Sequence, residues 1–503
     1  MAKKKPLKKD RLAGNHRLPG ERNQPFYVQA QQKKKGQPQK KKHPFGDGWE
    51  LADQEEALPE GEYSAECSYL DEEGRGIIRI QGQKLAVDGV LPGELVTVAV
   101  SGRRRSHAKL VRVQKASPDR VSPKCPVFYL CGGCRLQHLS YDGQLMQKQR
   151  QVERLMKEHL DAGAKFYQIL GMQDPWRYRN KSHATFSLNA KRQIIAGIYE
   201  ENSHRVVAVD HCAIQDEKAD EIVRSIRQIM KECKLMPYDE DSENGLLRHV
   251  LIRRGFQSGQ IMVVLVTASM VFPARSRFVS LLREKHPEIT TIVMNCNPRH
   301  TSMVLGEQER VLYGKGWIED TLCGKTFRIS SKSFYQVNPV QTEVLYTRAL
   351  QMAGLSGREK VLDAYCGIGT ISLIAADKAK EVIGVELNRD AVHDAIDNAK
   401  RNGVKNVRFY CDDAGRFMTE MAAREETVDV VLMDPPRSGS DEAFLQSVCR
   451  LKPKKVVYIS CNPQTQKRDL KVLCAGGYQV KEIQPVDMFP QTAHCENICL
   501  LER

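Results

Sequence analysis

From Ser331 to the C-terminus, the sequence alternates short apolar runs with segments of helical periodicity. The runs KVLDAY, EVIGVEL, VDVVLMDPP and KVVYISC are typical of buried strands, and helical patterns separate them. Strands that alternate with helices predict a mostly parallel, doubly wound sheet. The last two runs, YQVKEIQPVDMF and HCENICLLE, have no helical pattern between them. They therefore predict an antiparallel hairpin that completes the sheet.

The first of these strands ends in a turn that suits a bound ligand. In VLDAYCGIGTISL, Asp363 ends the strand, and Gly367 and Gly369 lie in the turn that opens a helix. Glycine lets the backbone approach a ligand closely, and Glu386 at the end of the next strand suits ribose hydroxyls. Because the glycines do not complete a GxGxxG pattern, a nucleoside-type ligand such as S-adenosylmethionine is favoured over a dinucleotide.

Polar side chains also follow the remaining strands of this region. Asp412, Asp434 and Cys461 each stand at a predicted strand end, as Asp363 and Glu386 do. In a doubly wound sheet the ligand binds at the carboxyl ends of the strands. Asp434 in MDPPRSG could instead be a simple turn residue, since Asp-Pro often starts a turn. The number of polar strand ends in one sheet favours a shared site.

A thiol and a carboxylate in this region have two interpretations each. Cys461 in VVYISCNPQT is either an inert buried hydrophobe or a reactive thiol. The reactive interpretation relies on the partial exposure of a strand end and on a helix N-terminus at QTQKRDL, which would favour the thiolate. Glu496 in HCENICLL either faces solvent on an edge strand or is buried, which is costly unless the carboxylate is paired or used.

A thiol, a carboxylate and a methyl donor match the chemical needs of methylating C5 of uracil. C5 is a poor nucleophile, but addition of a thiolate to C6 creates an enolate whose C5 attacks a sulfonium methyl group. A base must then remove the C5 proton so that the thiol is eliminated. The sequence thus predicts a methyltransferase that acts on an exposed pyrimidine.

Five motifs, in this order, make the resemblance to a known family close. FYQVNP, DAYCGIGT, DPPRSG, SCNPQT and HCENICLL resemble the motif series of the TrmA/RumA-type RNA uracil-5-methyltransferases. The resemblance implies an α/β fold, with a Rossmann-like class I methyltransferase domain over 331–503. It implies a nucleophile at Cys461 and a base at Glu496. The implied S-adenosylmethionine contacts are Gln336, Tyr365, Glu386 and Asp434.

Three cysteines lie in the short stretch CPVFYLCGGC. Cys125, Cys131 and Cys134 have the spacing C-x5-C-x2-C, which indicates soft metal ligation by zinc or an iron–sulfur cluster, with the cluster preferred. Cys212 in VDHCAIQ is the candidate fourth ligand, and the resemblance implies a [4Fe–4S] cluster on all four. The remaining cysteines are predicted to be buried small hydrophobes: Cys67, Cys233, Cys296, Cys323, Cys366, Cys411, Cys449, Cys474, Cys495 and Cys499.

The region before the cysteines has a different pattern. Residues 61–115 contain short strand-like runs separated by glycine turns, which predict a small β-barrel. The resemblance implies an OB-like TRAM domain over 57–116, which binds RNA, and a central α+β domain over 117–330, which carries the cysteine loop and binds RNA. The basic stretch SGRRRSHAK on the barrel is either an exposed turn or a contact for a phosphate backbone.

The N-terminal residues 1–56 are expected to be a disordered basic tail and linker. Fourteen Lys or Arg and two acidic residues within 1–43 account for most of the net charge of +15. Such a segment has too few apolar residues to fold. It either tethers the chain to RNA through counterion release or only increases solubility.

RNA is therefore the expected partner, with 23S ribosomal RNA preferred because the barrel and cysteine loop resemble the ribosomal branch of the family (RlmD/RlmCD-like). The alternatives are methylation of transfer RNA and a non-catalytic RNA-binding factor. No apolar run approaches the eighteen residues of a membrane helix. We expect a cytoplasmic monomer without a membrane partner.

Overall fold

The computed structural model describes residues 58–101, 108–200, 203–299 and 303–503. The predicted basic tail and linker over 1–56, and the RRRSH of the basic stretch, lie outside the described residues. None of the helices in the described ranges combines the length and apolar character needed to cross a bilayer.

The N-terminal region forms a five-stranded antiparallel sheet with the order β3-β2-β1-β4-β5. A backbone hydrogen bond from Ala108 N to Ala86 O (3.5 Å) joins the start of β5 to β3, the other edge strand. Alternate residues fill the core, among them Ile78, Val96 and Val98. The strands are β1 (Gly61–Leu70), β2 (Gly76–Ile80), β3 (Gln83–Val87), β4 (Leu95–Val100) and β5 (Lys109–Lys115).

Helices α1 and α2 and the short strand β6 follow the cysteine loop. Ser140 caps α1, because its hydroxyl accepts a hydrogen bond from Gly143 N (3.2 Å). The buried side chains of α1 include Gln144 and Lys148, two polar residues. The bounds are α1 (Tyr141–Leu155), α2 (Lys157–Asp161) and β6 (Lys165–Phe166).

The central region is a seven-stranded sheet, ordered β13-β12-β11-β10-β7-β8-β9, with two helices. Its pairs are antiparallel except for β11 and β12, which are parallel and joined through α4. Helix α3 packs Ile222, Ile226 and Ile229 into the core at helical spacing. The elements are β7 (Lys181–Leu188), β8 (Ile194–Tyr199), β9 (Val206–Ala208), α3 (Glu217–Glu232), β10 (Leu247–Arg254), β11 (Ile261–Thr267), α4 (Arg275–Lys285), β12 (Ile289–Cys296) and β13 (Gln308–Tyr313).

A hairpin of two strands leads into the C-terminal region, which contains six helices and seven strands. The hairpin is β14 (Trp317–Leu322) and β15 (Lys325–Ser330), and the other elements are α5 (Pro339–Ala353), β16 (Lys360–Asp363), α6 (Thr370–Ala375), β17 (Glu381–Glu386), α7 (Arg389–Arg401), β18 (Val407–Cys411), α8 (Ala414–Ala423), β19 (Val430–Met433), α9 (Glu442–Leu451), β20 (Lys455–Ser460), α10 (Pro463–Ala475), β21 (Gln479–Val486) and β22 (Glu496–Glu502). Side-chain caps begin most of the helices, as at Asn338 before α5 and Asn462 before α10, each with proline next.

These seven strands and β6 form one mixed sheet with the order β18-β17-β16-β19-β20-β22-β21-β6. The pairs from β18 to β20 are parallel, and β22 is antiparallel to both β20 and β21. Neighbouring residues of β16, Val361 and Leu362, belong to different apolar clusters, one with α5 and α6 and the other with α8, α9 and α10. Helices therefore cover both faces, and the mostly parallel sheet with an antiparallel end is confirmed.

Two features of this sheet were not predicted from the sequence. Strand β22 inserts between β20 and β21, and β6, from far earlier in the chain, pairs in parallel with β21.

The strand order reverses between β16 and β19, two neighbouring parallel strands at the centre of the sheet. A crevice opens at the carboxyl ends of the strands where the order reverses, and ligands of such sheets bind there.

The prediction that ten cysteines are buried hydrophobes is wrong for one of them. Cys411 is exposed, because it ends β18, the edge strand of the sheet. Cys67, Cys296, Cys366, Cys495 and Cys499 are buried, and Cys233, Cys323, Cys449 and Cys474 are half-buried.

Candidate active site

The pairing of β20 with β22 brings the predicted nucleophile and base together. Along this antiparallel ladder Val457 pairs with Leu500 and Ser460 with Asn497. One further step in the same register places Cys461 opposite Glu496. Residues directly opposite each other in an antiparallel pair project to the same face, with Cβ atoms about 4.5–5.5 Å apart. The charge of Glu496 acts on the pKa of Cys461, which agrees with the two side chains being neighbours just beyond the end of the ladder.

The Cys461 thiol is half-buried beside charged groups of both signs. Burial, then the negative charges of Glu496 and Asp434, raise the pKa of Cys461 to about 12, whereas Arg437 acts to lower it. The pKa of the thiol is therefore raised on balance, and the contribution predicted for the N-terminus of α10 stays a prediction. Asn462 caps that helix with its own side chain, which accepts a hydrogen bond from Gln464 N (3.1 Å).

Glu496 is the first residue of β22 and is only 3% exposed. This burial excludes the interpretation that it faces solvent. Its Oε2 atom has no hydrogen-bond partner among the described residues. Burial and the nearby Asp434 raise the pKa of Glu496 well above the usual range of a carboxyl group, and Arg437 opposes the shift. A buried carboxylate with an unused oxygen, directed to the same face as a thiol, fits a proton acceptor for a bound substrate.

The acidic strand ends lie along one edge of the sheet. Glu386 accepts hydrogen bonds from Gly367 N (3.1 Å) and Asn388 N (2.7 Å), which fixes its carboxylate in the turn after β16. Burial raises the pKa of Asp363 to about 7, although Ser372 donates a hydrogen bond to it. Burial and the repulsion of Asp363 raise the pKa of Asp434 to about 7. These closely spaced acids suit a ligand that has hydroxyl donors and a positive charge.

Tyr365 and Gln336 are the other two residues predicted to bind the cofactor. The Tyr365 hydroxyl lies 3.2 Å from Ser440 Oγ, and its ring packs against Phe444 with centroids 5.1 Å apart. Gln336 hydrogen-bonds the hydroxyl of Tyr346. Burial and the negative charge of Asp434 raise the pKa of that tyrosine.

The cofactor residues predicted from the sequence are therefore neighbours in space. Tyr365 follows β16, Glu386 ends β17 and Asp434 follows β19, and Gln336 joins them through Tyr346.

Two side chains that the sequence analysis did not single out, Arg437 and His494, border the site. Arg437 lowers the pKa values of both Cys461 and Glu496. Its Nη2 atom lies 3.5 Å from His494 Nε2, and its carbonyl accepts hydrogen bonds from Asn462 Nδ2 (3.3 Å) and Thr465 Oγ1 (3.2 Å). The available signal was its place in DPPRSG, where a cation stands three residues after an acidic strand end.

The four cysteines predicted as ligands line one cavity of about 210 Å³ in the central region. Burial raises the pKa of Cys134 to about 12, and the other three thiols, Cys212, Cys131 and Cys125, add to the shift. Across the described residues, no group of three or more His, Cys, Asp or Glu side chains is arranged to hold a metal ion. The same cavity is lined by Arg179, Lys181 and His183.

Comparison with known proteins identifies the family. Residues 303–503 match the family model described as tRNA (uracil-5-)-methyltransferase. An uncharacterized RNA methyltransferase of Halalkalibacterium halodurans is 44% identical over 436 residues, which cover 86% of this chain and 95% of the relative. One from Staphylococcus aureus is 41% identical over 86% of this chain and 96% of the relative. The chain belongs to the RNA uracil-5-methyltransferase family.

A solved structure agrees with this assignment. The Pyrococcus abyssi tRNA (uracil-54, C5)-methyltransferase, determined with S-adenosyl-L-homocysteine, matches with a TM-score of 0.69 and 25% identity over 87% of this chain and 100% of that chain. The family predicted from the five motifs is thus confirmed. The chain is an S-adenosylmethionine-dependent enzyme of the RNA uracil-5-methyltransferase type.

Proposed function

We propose that this methyltransferase forms 5-methyluridine in 23S ribosomal RNA through a covalent bond between Cys461 and C6 of the target uracil. The observation that supports the mechanism is the register of β20 and β22: their last pair is Ser460 with Asn497, so continuing it by one step would set Cys461 opposite Glu496, whose charge raises the pKa of the thiol. Both side chains then project to one face of the sheet, at its carboxyl edge. A pyrimidine between them could receive a thiol on one atom and lose a proton from the next.

The proposed reaction has two steps. The Cys461 thiolate adds to C6, the electron pair moves to form an enolate, and C5 takes the methyl group. Glu496 then removes the proton from C5, the C6–S bond breaks, and the thiolate leaves. S-adenosylmethionine supplies the electrophilic methyl group when bound, and its positive charge favours the ionised forms of both side chains. Arg437 contributes a permanent charge of the same sign.

We assign the binding of S-adenosylmethionine to Gln336, Tyr365, Glu386 and Asp434. The arrangement fits that ligand, because Glu386 is fixed by two backbone N–H groups at the end of the second strand, where ribose hydroxyls bind in this class of sheet. Asp434 adds an acid whose ionised form a sulfonium cation would stabilise. Tyr365 offers an aromatic face beside the glycine turn.

The preference for ribosomal RNA rests on the regions outside the catalytic sheet. Within the proposal, 57–116 is a TRAM domain with an OB-like barrel, and 117–330 is a central RNA-binding domain. The antiparallel order of β1 to β5 and the hydrogen bond between Ala108 and Ala86 support the barrel. The resemblance associates both the barrel and the cysteine loop with the ribosomal branch.

We also propose that Cys125, Cys131, Cys134 and Cys212 hold a [4Fe–4S] cluster. A single zinc ion needs four sulfurs at about 2.3 Å from one point, whereas a four-iron cluster is larger and spaces its thiolates more widely. The observation that supports a shared ligand is that all four thiols line one cavity.

Charge in the same cavity supports an anionic occupant. Among the described residues, no acidic side chain forms an ion pair with Arg179 or Lys181, and His183 Nε2 is buried without a partner. Arg179 and Lys181 are half-buried, and a cation that is withdrawn from water is costly unless it is compensated. Four thiolates on a cluster would supply that compensation.

The variant Glu496→Gln tests the mechanism. Loss of the base should leave the C5 proton in place, so the Cys461–RNA bond should persist as a band that survives a denaturing gel. Methyl-labelled S-adenosylmethionine should place the label in that band. Glu502→Gln is the matched control, because it makes the same change at the other end of β22.

Two outcomes would contradict the proposal. If the Glu496→Gln variant gives no stable band with any RNA, Glu496 is not the base. If a band forms with transfer RNA and none with 23S ribosomal RNA, the substrate assignment is wrong although the mechanism holds.

A further inference from the structure

The loop before Glu496 is held by a hydrogen-bonded clamp at Gln491. The backbone N–H of Gln491 donates to Gln144 Oε1 (3.0 Å), and its side-chain Oε1 accepts from Gln144 Nε2 (3.0 Å). Its carbonyl accepts from both Arg135 N (2.9 Å) and Leu136 N (3.0 Å). Gln491 also has a φ of +69°, in the left-handed region that side chains other than glycine rarely adopt. Such a conformation persists where the surroundings enforce it, and it is frequent at functional sites.

One face of α1 carries the rest of the clamp. Tyr141, Gln144 and Lys148 lie at positions i, i+3 and i+7, so they project to the same side of the helix. Lys148 Nζ forms a fully buried ion pair with Asp487 Oδ1 (2.6 Å) and donates to Phe489 O (3.1 Å). The Tyr141 hydroxyl donates to Asp487 Oδ2 (2.9 Å).

The clamp spans the whole connection between β21 and β22. Val486 pairs with Glu496 at the base of this nine-residue loop, 487–495. Asp487 is held by Lys148 just after β21, and Gln491 is held by Gln144 at the middle of the loop. The Tyr178 hydroxyl adds a hydrogen bond to Pro490 O (2.9 Å).

The position of the Glu496 side chain depends on this loop. Glu496 is the first residue of β22 and pairs with Val486, so the loop enters the ladder directly at this residue. Its Oε2 atom is without a hydrogen-bond partner in the described parts of the chain, so no bond at that oxygen fixes the carboxylate. The entry of the preceding loop into the strand is therefore a candidate constraint on the orientation of the carboxylate.

We propose that Gln144 and Lys148 are positioning residues for the catalytic base, acting through Gln491 and Asp487 on Glu496. This inference rests on the proposed covalent mechanism. The clamp holds the carboxylate where it can reach the C5 proton, and it takes no part in the attack of Cys461 on C6. Its loss should therefore slow the breakdown of the covalent intermediate more than its formation.

The test measures the lifetime of that intermediate. Purified full-length Gln144→Ala is mixed with the RNA substrate and methyl-labelled S-adenosylmethionine, and the reaction is quenched over time on denaturing gels. A displaced base should lengthen the half-life of the labelled protein–RNA band about 10- to 100-fold, while the initial rate of band formation changes little. Glu153→Gln, at an exposed site of the same helix, should behave as the unmodified enzyme.

A second variant covers the case in which Gln144→Ala does not fold. Gln491→Gly accepts the left-handed backbone without strain and keeps the backbone hydrogen bonds, so it removes only the side-chain bond to Gln144. Its half-life should lie between those of the unmodified enzyme and Gln144→Ala. A merely structural clamp would lower the thermal midpoint, and formation and decay of the band would slow together; that result overturns the inference.

The failure of this inference differs from the failure of the proposed function. If Glu496→Gln gives a stable band and both clamp variants leave the half-life of the labelled protein–RNA band unchanged, only the positioning role is refuted. If Glu496→Gln gives no band, the covalent mechanism with Glu496 as its base is refuted. The clamp proposal, which depends on that mechanism, is then refuted as well.

Discussion

The methyltransferase contains two cysteine environments whose thiols have similar burial and opposite neighbours. Burial raises the pKa of both Cys461 and Cys134 to about 12. Cys461 faces two acids and one arginine. Cys134 faces three further thiols across a cavity that Arg179 and Lys181 also line.

Because burial raises the pKa of both thiols alike, the neighbouring groups are what distinguishes the two environments. Where acids surround a thiol, its anion is disfavoured at rest and must be generated when the positively charged methyl donor arrives, which suits a nucleophile that forms and breaks one bond per turnover. Where several thiols share a cavity with cations, the anions can all exist together once a metal binds. In the proposed function, the same residue type is a nucleophile in one region and a cluster ligand in the other.

The largest expected effect comes from removing each type of thiol in turn. Cys461→Ala should lower methylation by on the order of 10⁴-fold or more, because the covalent step has no substitute, and RNA binding should persist. Incorporation of labelled methyl groups and gel-shift titration measure the two quantities. Cys212→Ala should retain measurable methylation. A comparable loss of methylation in both variants would contradict the proposed difference between the two cysteine environments.

Arg437 offers a more selective test of the catalytic environment. Because its charge lowers the pKa of Cys461, Arg437→Ala should raise that pKa further and reduce the thiolate fraction at any pH below it. The alkylation rate of Cys461 by iodoacetamide should fall by about tenfold per unit of pKa shift and its pH profile should move to higher pH. Mass spectrometry of the modified peptide reports the rate. Arg437→Lys keeps the charge, and an equal loss in that variant would argue against an electrostatic role.

Loss of one cysteine of the cavity should change both the metal content and the thermal stability of the protein. Cys212→Ser should lower the iron bound per chain in anaerobically purified protein, together with the visible absorption of the cluster. If loss of the site costs about 3 kcal/mol, the thermal midpoint should fall by about 6–12 °C. Iron analysis and thermal unfolding measure both. Zinc in place of iron in the unmodified enzyme would refute the cluster and retain a metal site.

The basic tail should affect neither cysteine environment. Deletion of residues 1–43 should weaken RNA binding and flatten the dependence of log K on log salt by about 0.7 for each phosphate of single-stranded RNA that the tail neutralises. The turnover rate at saturating RNA should stay the same. Filter binding at several salt concentrations provides the slope, and an unaltered slope would favour a role in solubility alone.

Local patterns in the sequence predicted the strand ends correctly. Apolar runs followed by Asp363, Glu386, Asp434 and Cys461 became parallel strands with these residues at one edge. That inference succeeds because the period of a strand and the turn chemistry after it depend on neighbouring residues. The same logic failed for Cys411, whose exposure depends on β18 being the edge strand, and no local pattern reports that.

Other features depend on contacts between distant segments. The insertion of β22 beside β20 sets the register that aligns Cys461 with Glu496. The pairing of Gln144 with Gln491 joins residues 347 positions apart. A glutamine in a polar helix gives no sign that it is buried against a loop in another region, because its partner is determined by the packing of the whole chain.

The sequence by itself determined which residues could carry the chemistry: a thiol and acids at strand ends, a carboxylate in an apolar strand, and three cysteines with ligand spacing. These follow from short-range rules of secondary structure and from the reactivity of each side chain. The tertiary structure decided which of them meet and in what ionisation state. Strand register, burial and opposing charge arise only when segments far apart in the chain pack together, and they set the pKa values of Cys461 and Glu496.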